Sequence, residues 1–283
     1  MRAWAALLSV LALLACSPRP QPAEPALWRV EGPGGQVGWL FGTIHNSPVP
    51  LEWQTPAVRA ALAQSGAIVV EVGNLADEAE VSATFARLAK GASQPPLSRR
   101  VPPAERPALA ALVAKAGYGD GDFTAMDTWA AALTLARAGG DDADARNGVD
   151  RAVIALAHGR PVIELEGAAH QLGLFDGLPE SEQRDLLRAV VREANLPDHD
   201  LATAWREGDT AALERETRTG LLADPELREV LFTGRNRAWT ERIAAAVREG
   251  RRPFVAVGAA HMAGPDGLPA MLARAGYTVT RVD

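Results

Sequence analysis

Short apolar runs alternate along the chain with longer segments in which apolar residues recur at helical spacing. Residues 27–30 and 36–41 are apolar runs on either side of a Gly/Pro cluster, and this pattern predicts an antiparallel hairpin. Further strands are predicted where continuous apolar runs stand between turn residues, at 67–70, 161–165, 254–257 and 277–280. Strands that are apolar throughout are typical of a parallel sheet covered on both faces.

Helices are predicted between these strands. Thr55 and Pro56 have the features of a helix start, with a capping hydroxyl followed by proline at the first helical position. Two longer stretches, about 76–158 and 180–250, have helical patterns interrupted by glycine and proline, and they are too long to be simple crossovers. We therefore expect one α/β domain over residues 27–283, with a mostly parallel central sheet, an N-terminal β-hairpin and two large helical insertions that form a cap.

The N-terminal residues have the features of an export signal. Met1-Arg2 is a positive start, and the apolar run at 3–14 is shorter than the about 20 residues that a helix needs to span a bilayer core. The run ends in Leu13-Leu14-Ala15-Cys16, which resembles the lipobox of bacterial lipoproteins. The resemblance implies a signal peptide at 1–15, acylation of Cys16, and a Pro-rich tether at 16–26. We therefore expect an exported protein, lipid-anchored in the cell envelope at the periplasmic face or the outer membrane; an ordinary signal peptide with an incidental cysteine is the alternative.

Composition narrows the function classes. The chain has 283 residues, of which 47% are hydrophobic, and this proportion is typical of a folded globular protein. A single cysteine excludes a disulfide framework and a Cys-based zinc site. The net charge is −6, with no basic block, which argues against nucleic acid as a partner.

Three side chains that are suited to chemistry follow predicted strands. His45 and His261 each come three positions after a glycine that ends an apolar strand, and Glu71 ends a third strand. In an open α/β sheet, ligands bind just beyond the carboxyl ends of the strands. If the three strands are parallel neighbours, these residues converge and form a ligand set for a catalytic divalent ion with positions open for water.

Simpler interpretations stay open for these and the other candidate residues. A histidine after a strand is often a loop residue, and Gly167-Ala-Ala-His170 is a third copy of the same pattern, so spacing alone does not exclude His170. Glu164 and Glu166 face one side of their strand, where they either line the crevice or are solvated. His158 is best explained as a helix C-terminal cap, and His199 as a loop residue or a helix start.

The chain resembles the TraB/GumN family, which includes the Tiki-type metalloproteases, over about residues 27–282. The residues that carry the resemblance are, in chain order, Leu40-Phe-Gly-Thr-Ile-His45, Pro48, Trp53, Val69-Val-Glu71, Gly148-Val-Asp150, Leu165-Glu166, Gln171, Phe175, Ala204-Trp-Arg-Glu-Gly-Asp209, Arg235-Asn236, Trp239, Val255-Ala-Val-Gly-Ala-Ala-His261 and Gly264. The resemblance implies a fold related to the erythromycin esterases and to ChaN-like haem-binding lipoproteins.

The resemblance also implies a site. His45 and His261 match the two Gly-x-x-His histidines of the family, Glu71 matches its acid, and Arg235 and Asn236 match its Arg-Asn pair. An arginine at this place is expected to hold a substrate carboxylate or to stabilise an oxyanion, or else to form a structural salt bridge. Relatives are expected to be more polar around His170, which makes that residue a weaker candidate.

The leading hypothesis is a metal-dependent, peptidase-like hydrolase. His45, Glu71 and His261 are expected to hold a divalent ion, with zinc, manganese and cobalt all acceptable to this ligand set, and Glu71 is a candidate general base. The expected partners are a peptide or small-molecule substrate and, through the lipid anchor, a membrane. Two alternatives stay open: a ChaN-like module that binds haem, a metal or a small ligand without turnover, and a metal-independent hydrolase that uses a histidine as its base.

Overall fold

The computed structural model describes residues 19–73, 78–139, 145–194 and 201–282. The predicted signal peptide, the predicted acylation site Cys16 and His199, predicted as a loop residue or a helix start, lie outside these ranges. The strands in the described ranges are β1 (Gln21–Pro22), β2 (Leu27–Glu31), β3 (Val37–Thr43), β4 (Leu51–Glu52), β5 (Ala67–Val70), β6 (Val162–Glu164), β7 (Pro253–Gly258) and β8 (Thr278–Arg281).

Helices make up most of the remaining described chain. They are α1 (Pro56–Gln64), α2 (Glu78–Leu88), α3 (Arg106–Lys115), α4 (Thr128–Gly139), α5 (Val149–Ala155), α6 (Ala168–Asp176), α7 (Glu180–Glu193), α8 (Leu201–Arg206), α9 (Thr210–Glu216), α10 (Pro225–Arg228), α11 (Gly234–Arg248) and α12 (Leu268–Arg274). A π-helical turn, Glu229–Thr233, joins α10 to α11. Within the described ranges, no helix has both the length and the apolar character to cross a membrane.

The main sheet has six strands in the order β6-β5-β7-β3-β2-β8. The strands β6, β5, β7 and β3 are parallel, whereas β2 is antiparallel to both β3 and β8. The predicted hairpin is β2 and β3, which pair with Trp28 opposite Leu40. The predicted α/β class, with a mostly parallel central sheet, is therefore confirmed.

Both faces of the sheet are covered, and the central strands are apolar along most of their length. On one face, Phe41, Ile68 and Phe254 pack in a core with α1 and α5. On the other face, Leu40 and Val255 pack in a second core with α11 and α12. This double burial is the reason that the strands lack polar alternation.

The helical insertions form a third core of their own. Trp129 on α4 is fully buried there, with side chains of α3 and α7 packed around it. Helix α6 was not among the predicted helices. It begins after Gly167, whose φ of +81° is accessible to glycine at little cost and turns the chain sharply out of β6 into a helix.

The described N-terminal residues lie against the domain. The backbone N–H of Gln21 donates to the carbonyl of Pro50, and that of Ala23 donates to Glu52, so that β1 pairs with β4. Ala23 and Ala26 are buried. Residues 21–26, part of the predicted tether at 16–26, are therefore packed on the fold, and a free spacer is limited to residues before Gln21.

Candidate functional site

The strands β5, β7 and β3 are parallel neighbours, and the candidate residues stand at their carboxyl ends. Glu71 directly follows β5, and Thr43, the last residue of β3, pairs with Gly258 at the end of β7. His45 and His261 come just after these two strand ends. The sheet topology therefore brings all three residues to one edge, as the open α/β arrangement predicts.

Glu71 is buried and all of its carboxylate is engaged. Its Oε1 accepts from the backbone N–H of Gly258 at 2.7 Å, and its Oε2 accepts from Arg235 at 2.7 Å and from Gln171 at 2.9 Å. Burial raises the pKa of this carboxyl, but the neighbouring histidines, Arg235 and the N–H of Gly258 favour the carboxylate more strongly and lower the pKa to about 2. His261 is itself neutral at neutral pH, as described below. We therefore assign the stabilisation of the Glu71 carboxylate at neutral pH mainly to Arg235 and the N–H of Gly258.

Arg235, in the first turn of α11, is surrounded by acceptors. Its Nε and Nη2 both donate to Glu166, at 2.9 Å each, and Nη2 also donates to Glu71. Its Nη1 lies 3.1 Å from the carbonyl oxygen of Leu231, in the π-helical turn, and 3.3 Å from Nε2 of His261. The guanidinium also lies 4.5 Å from the ring centre of Trp239, a favourable cation–π distance.

The five N–H groups of a guanidinium are thus matched by five acceptors within the protein. No donor is left over for a substrate carboxylate or an oxyanion in this arrangement. Of the two roles predicted for Arg235, the geometry favours the structural ion pair over direct contact with substrate.

His261 is buried against aromatic rings, with Phe232 stacked at 5.4 Å and Trp239 at 4.6 Å between ring centres. Burial lowers the pKa of His261 to about 3, against the opposing effect of Glu71, so the ring is neutral at neutral pH. Its Nδ1 lies 2.6 Å from Oδ1 of Asn236. The Nδ2 of Asn236 donates to the carbonyl of Asp266, which identifies Oδ1 as an acceptor and assigns the ring proton to Nδ1. Asn236 therefore orients His261.

His45 differs from His261 in almost every respect. Its side chain is 68% exposed, and its Nδ1 lies 2.6 Å from Oδ2 of Asp150, which is itself nearly buried. The hydrogen bond to Asp150 raises the pKa of His45 above 6.5, outweighing the partial burial that lowers it. A carboxylate on Nδ1 leaves Nε2 as the basic nitrogen of the neutral ring.

Glycine at two positions makes these contacts possible. A Cβ on Gly42 would lie 2.9 Å from the Cα of Ala259, so the first Gly-x-x-His segment passes directly against the second. A Cβ on Gly148 would overlap the carbonyl oxygen of His45. The close approach at Gly148 holds the start of α5 against the first segment and brings Asp150 to His45.

The candidate ligand atoms of His45, Glu71 and His261 do not all lie within 4.8 Å of one another in this arrangement. Among the described residues, a single group of three acidic, histidine or cysteine side chains has its ligand atoms all within 4.8 Å of one another, and it is Glu182, Asp224 and Glu226. Exposed acidic groups of this kind are common without an ion. At the sheet edge, Arg235 donates to Oε2 of Glu71 and lies beside Nε2 of His261. A metal ion at this place would need the same two atoms as ligands.

Several residues at this edge had no assigned role in the sequence. In the sequence, Asp150, Gln171 and Trp239 stand out only through the family resemblance, because their partners lie roughly 70 to 105 positions away in the chain. Glu166, left open between crevice and solvent, is the buried partner of Arg235 and Trp239. Glu164 accepts from the N–H of Gly73, and His170 is exposed on α6.

Comparison with known proteins identifies the family of this chain. The chain matches the family model described as the TraB/PrgY/gumN family over residues 26–281. It is 26% identical over 257 residues to a Shigella flexneri protein described as "Uncharacterized protein YbaP", with 85% of this chain and 89% of that protein covered. No solved structure matches the chain significantly. Since the family model spans almost all of the described domain, this chain belongs to the TraB/PrgY/gumN family.

Proposed function

We propose that this protein is a hydrolase of ester or amide bonds in which His45 is the general base. The observation that carries the proposal is the pair that His45 forms with Asp150, with Nδ1 and Oδ2 at 2.6 Å. A base that accepts a proton through one ring nitrogen needs its other nitrogen held by an orienting group, and a buried carboxylate does this. The ring itself is 68% exposed, so a water molecule or a substrate reaches it from solvent.

The raised pKa of His45 suits this role. A general base is most effective when its pKa lies near the working pH, because it is then largely neutral and still strongly basic. The hydrogen bond to Asp150 raises the pKa of His45 above 6.5, which makes the neutral ring a stronger base. In this proposal His45 takes a proton from water as the water oxygen bonds to the carbonyl carbon of the substrate. The imidazolium, stabilised by Asp150, then gives that proton to the alcohol or amine that leaves as the ester or amide bond breaks. Glu71, Arg235 and His261 form the buried wall behind them.

A peptide or small molecule is the proposed substrate class, and the helical insertions are proposed to form a cap that shapes its pocket. The contact that supports the cap is made by α6, from which Gln171 reaches Glu71 at the sheet edge. A cap built from a separate helical core, as this one is, can vary in its lining while the sheet edge stays constant.

Metal-dependent peptide hydrolysis is the second candidate. It is supported by the convergence of His45, Glu71 and His261 at one edge, where the charge of Glu71 influences the pKa of both histidines. A divalent ion such as zinc, manganese or cobalt requires Arg235 to leave Glu71 first, and for this reason we rank this candidate second.

Hydrolysis assays on the full chain, purified in detergent, test the proposal. Chromogenic esters and quenched-fluorescence peptides are assayed with wild type, with His45→Ala, and with His170→Ala as the matched control, because His170 is also exposed and ends the third Gly-x-x-His copy. We expect His45→Ala to lose activity by roughly 10²- to 10⁴-fold and His170→Ala to retain it. Full activity of His45→Ala contradicts the proposal, and activity that is abolished by a chelator favours the second candidate.

We also propose that the protein is exported and anchored to a membrane of the cell envelope through acylated Cys16. The support is the sequence Leu13-Leu14-Ala15-Cys16 after an apolar run. Metabolic labelling with a radioactive fatty acid is expected to label wild type and not Cys16→Ser. Equal labelling of both proteins, or of neither, contradicts the anchor.

A further inference from the structure

We infer that Arg235 is the resident cation of the buried half of this site, which consists of Glu71, Glu166, Arg235 and His261. Arg235 occupies the place that a divalent ion would need between Glu71 and His261. The inference deepens the proposed function by saying why the histidine base acts without a metal, but it is tested by metal binding rather than by hydrolysis. Metal affinity at these two residues is then expected to be low in the wild-type protein and to rise when Arg235 is removed.

The acceptors around Arg235 are the kind that surround a bound metal. They are carboxylate oxygens of Glu71 and Glu166, the unprotonated Nε2 of His261 and a backbone carbonyl of Leu231. Carboxylate, imidazole and carbonyl groups are the ligands that manganese, cobalt and zinc accept. The guanidinium satisfies this set with five N–H groups and one positive charge.

The same atoms cannot serve both cations. Oε2 of Glu71 is 2.7 Å from Nη2 of Arg235 and 2.9 Å from the amide of Gln171, and Oε1 is taken by the N–H of Gly258. Nε2 of His261 is 3.3 Å from Nη1 of Arg235. A metal ion needs its ligand atoms at about 2.0–2.2 Å, which places it where the guanidinium nitrogens now lie.

The charges indicate that metal affinity rises when Arg235 is removed. Glu71 and Glu166 are two nearly buried carboxylates, with side-chain exposures of 10% and 4%, and Arg235 is the cation paired with both. Without Arg235, two carboxylates and a neutral imidazole would face one another in a buried pocket without the cation that pairs with both carboxylates. A divalent ion then restores the balance, so its binding becomes more favourable.

Cobalt titration of the full chain, followed by the visible absorption of the bound ion, tests the inference. The variants are Glu71→Gln, Arg235→Ala, Arg235→Lys and the double variant Arg235→Ala/Glu71→Gln. Exposed acids such as Glu182, Asp224 and Glu226 are a background that Glu71→Gln leaves unchanged. Circular dichroism on each variant shows whether it is folded.

We expect wild type and Glu71→Gln to bind cobalt alike, which means that no wild-type binding depends on Glu71. Arg235→Ala is expected to bind at least about tenfold more tightly than wild type, and the double variant to lose this gain. Arg235→Lys retains a cation and is expected to behave as wild type. Tight binding by wild type that Glu71→Gln abolishes overturns the inference, as does a folded Arg235→Ala that binds no better than wild type.

The comparison of wild type with Glu71→Gln decides the matter even if Arg235→Ala does not fold. A failure here is distinct from a failure of the proposed function, because no step of the titration depends on His45 or on turnover. Cobalt bound through Glu71 by wild type, together with hydrolysis that requires His45 and survives a chelator, would remove the inference and leave the general base in place.

Discussion

The two Gly-x-x-His segments look equivalent in sequence, but they differ in what surrounds their histidines. His261 is buried between aromatic rings, has both ring nitrogens engaged and is neutral. His45 is 68% exposed, is held by Asp150 on one nitrogen, and has a raised pKa. A repeated motif can therefore place one histidine in the buried framework of a site and the other at the surface that a substrate reaches.

We expect the largest loss of unfolding free energy when an ion pair in the buried half of the site is broken, and a much smaller loss for an ion pair at the surface. Arg235→Met leaves Glu71 and Glu166 buried without their cation, and we expect it to lower the free energy of unfolding by about 3–5 kcal/mol. Urea denaturation measures this. Arg237→Met is the matched control, because Arg237 pairs with Glu229 on an exposed surface and is expected to cost at most about 1 kcal/mol. Equal losses in the two variants would show that Arg235 is no more important than a surface ion pair.

The two histidines are expected to differ in how much they stabilise the fold. His261→Ala opens a cavity between Phe232 and Trp239, and we expect a loss of about 2–4 kcal/mol of unfolding free energy. His45→Ala removes an exposed ring but leaves the nearly buried Asp150 without this partner, and the expected loss is smaller, at about 1 kcal/mol. Thermal and urea unfolding of both variants check the difference. A larger loss for His45→Ala would reverse the assignment of buried framework and substrate-facing surface.

The third prediction tests the orienting role of Asp150. Asp150→Asn removes the charge that raises the pKa of His45, and we expect kcat/KM to fall by about 10- to 100-fold. Because His45 acts as a base only when neutral, wild-type activity is lost as the pH falls through its raised pKa, above 6.5. The acid limb of the pH profile therefore moves to lower pH in Asp150→Asn. Asp185→Asn, in a surface pair with Arg188, is the control, and an unmoved limb in Asp150→Asn contradicts the role.

The smallest effect is expected far from the site. Glu105 joins the start of α3 to Arg188 and Arg192 on α7. Burial raises the pKa of Glu105, but these arginines outweigh it and lower the pKa below 4.5, so its stabilisation is present above that pH and is lost as the pH falls further. Glu105→Gln is expected to cost less than about 1 kcal/mol at neutral pH, with unchanged hydrolysis. Any loss of activity would show that this helical region communicates with the sheet edge.

The sequence predicts the framework of this molecule better than the pairing within it. The apolar runs around Phe41, Ile68 and Phe254 predict the strands, because their burial on both faces leaves a continuous apolar pattern. The positions of His45, Glu71 and His261 at one edge follow from strand ends in a parallel sheet. Helix α6 was missed because its start depends on the positive φ of Gly167, which no apolar period indicates.

The contacts that decide the chemistry could not be predicted in the same way. Whether Arg235 faces a substrate or two carboxylates depends on where Glu166 points, and a strand pattern gives only the side of the sheet. The pairing of His45 with Asp150 joins residues 105 positions apart through the close packing at Gly148. Such contacts depend on tertiary packing, which the local pattern does not contain.

The docking of residues 21–26 has a consequence for where this protein works. Under the proposed acylation of Cys16, only the residues between it and Gln21 separate the lipid from the folded domain, and an extended chain of this length reaches no more than about 18 Å. The domain would then be held close to the bilayer by a short tether and would act within a narrow layer beside it. Substrates would have to be brought to the membrane surface, or be part of it, to meet His45.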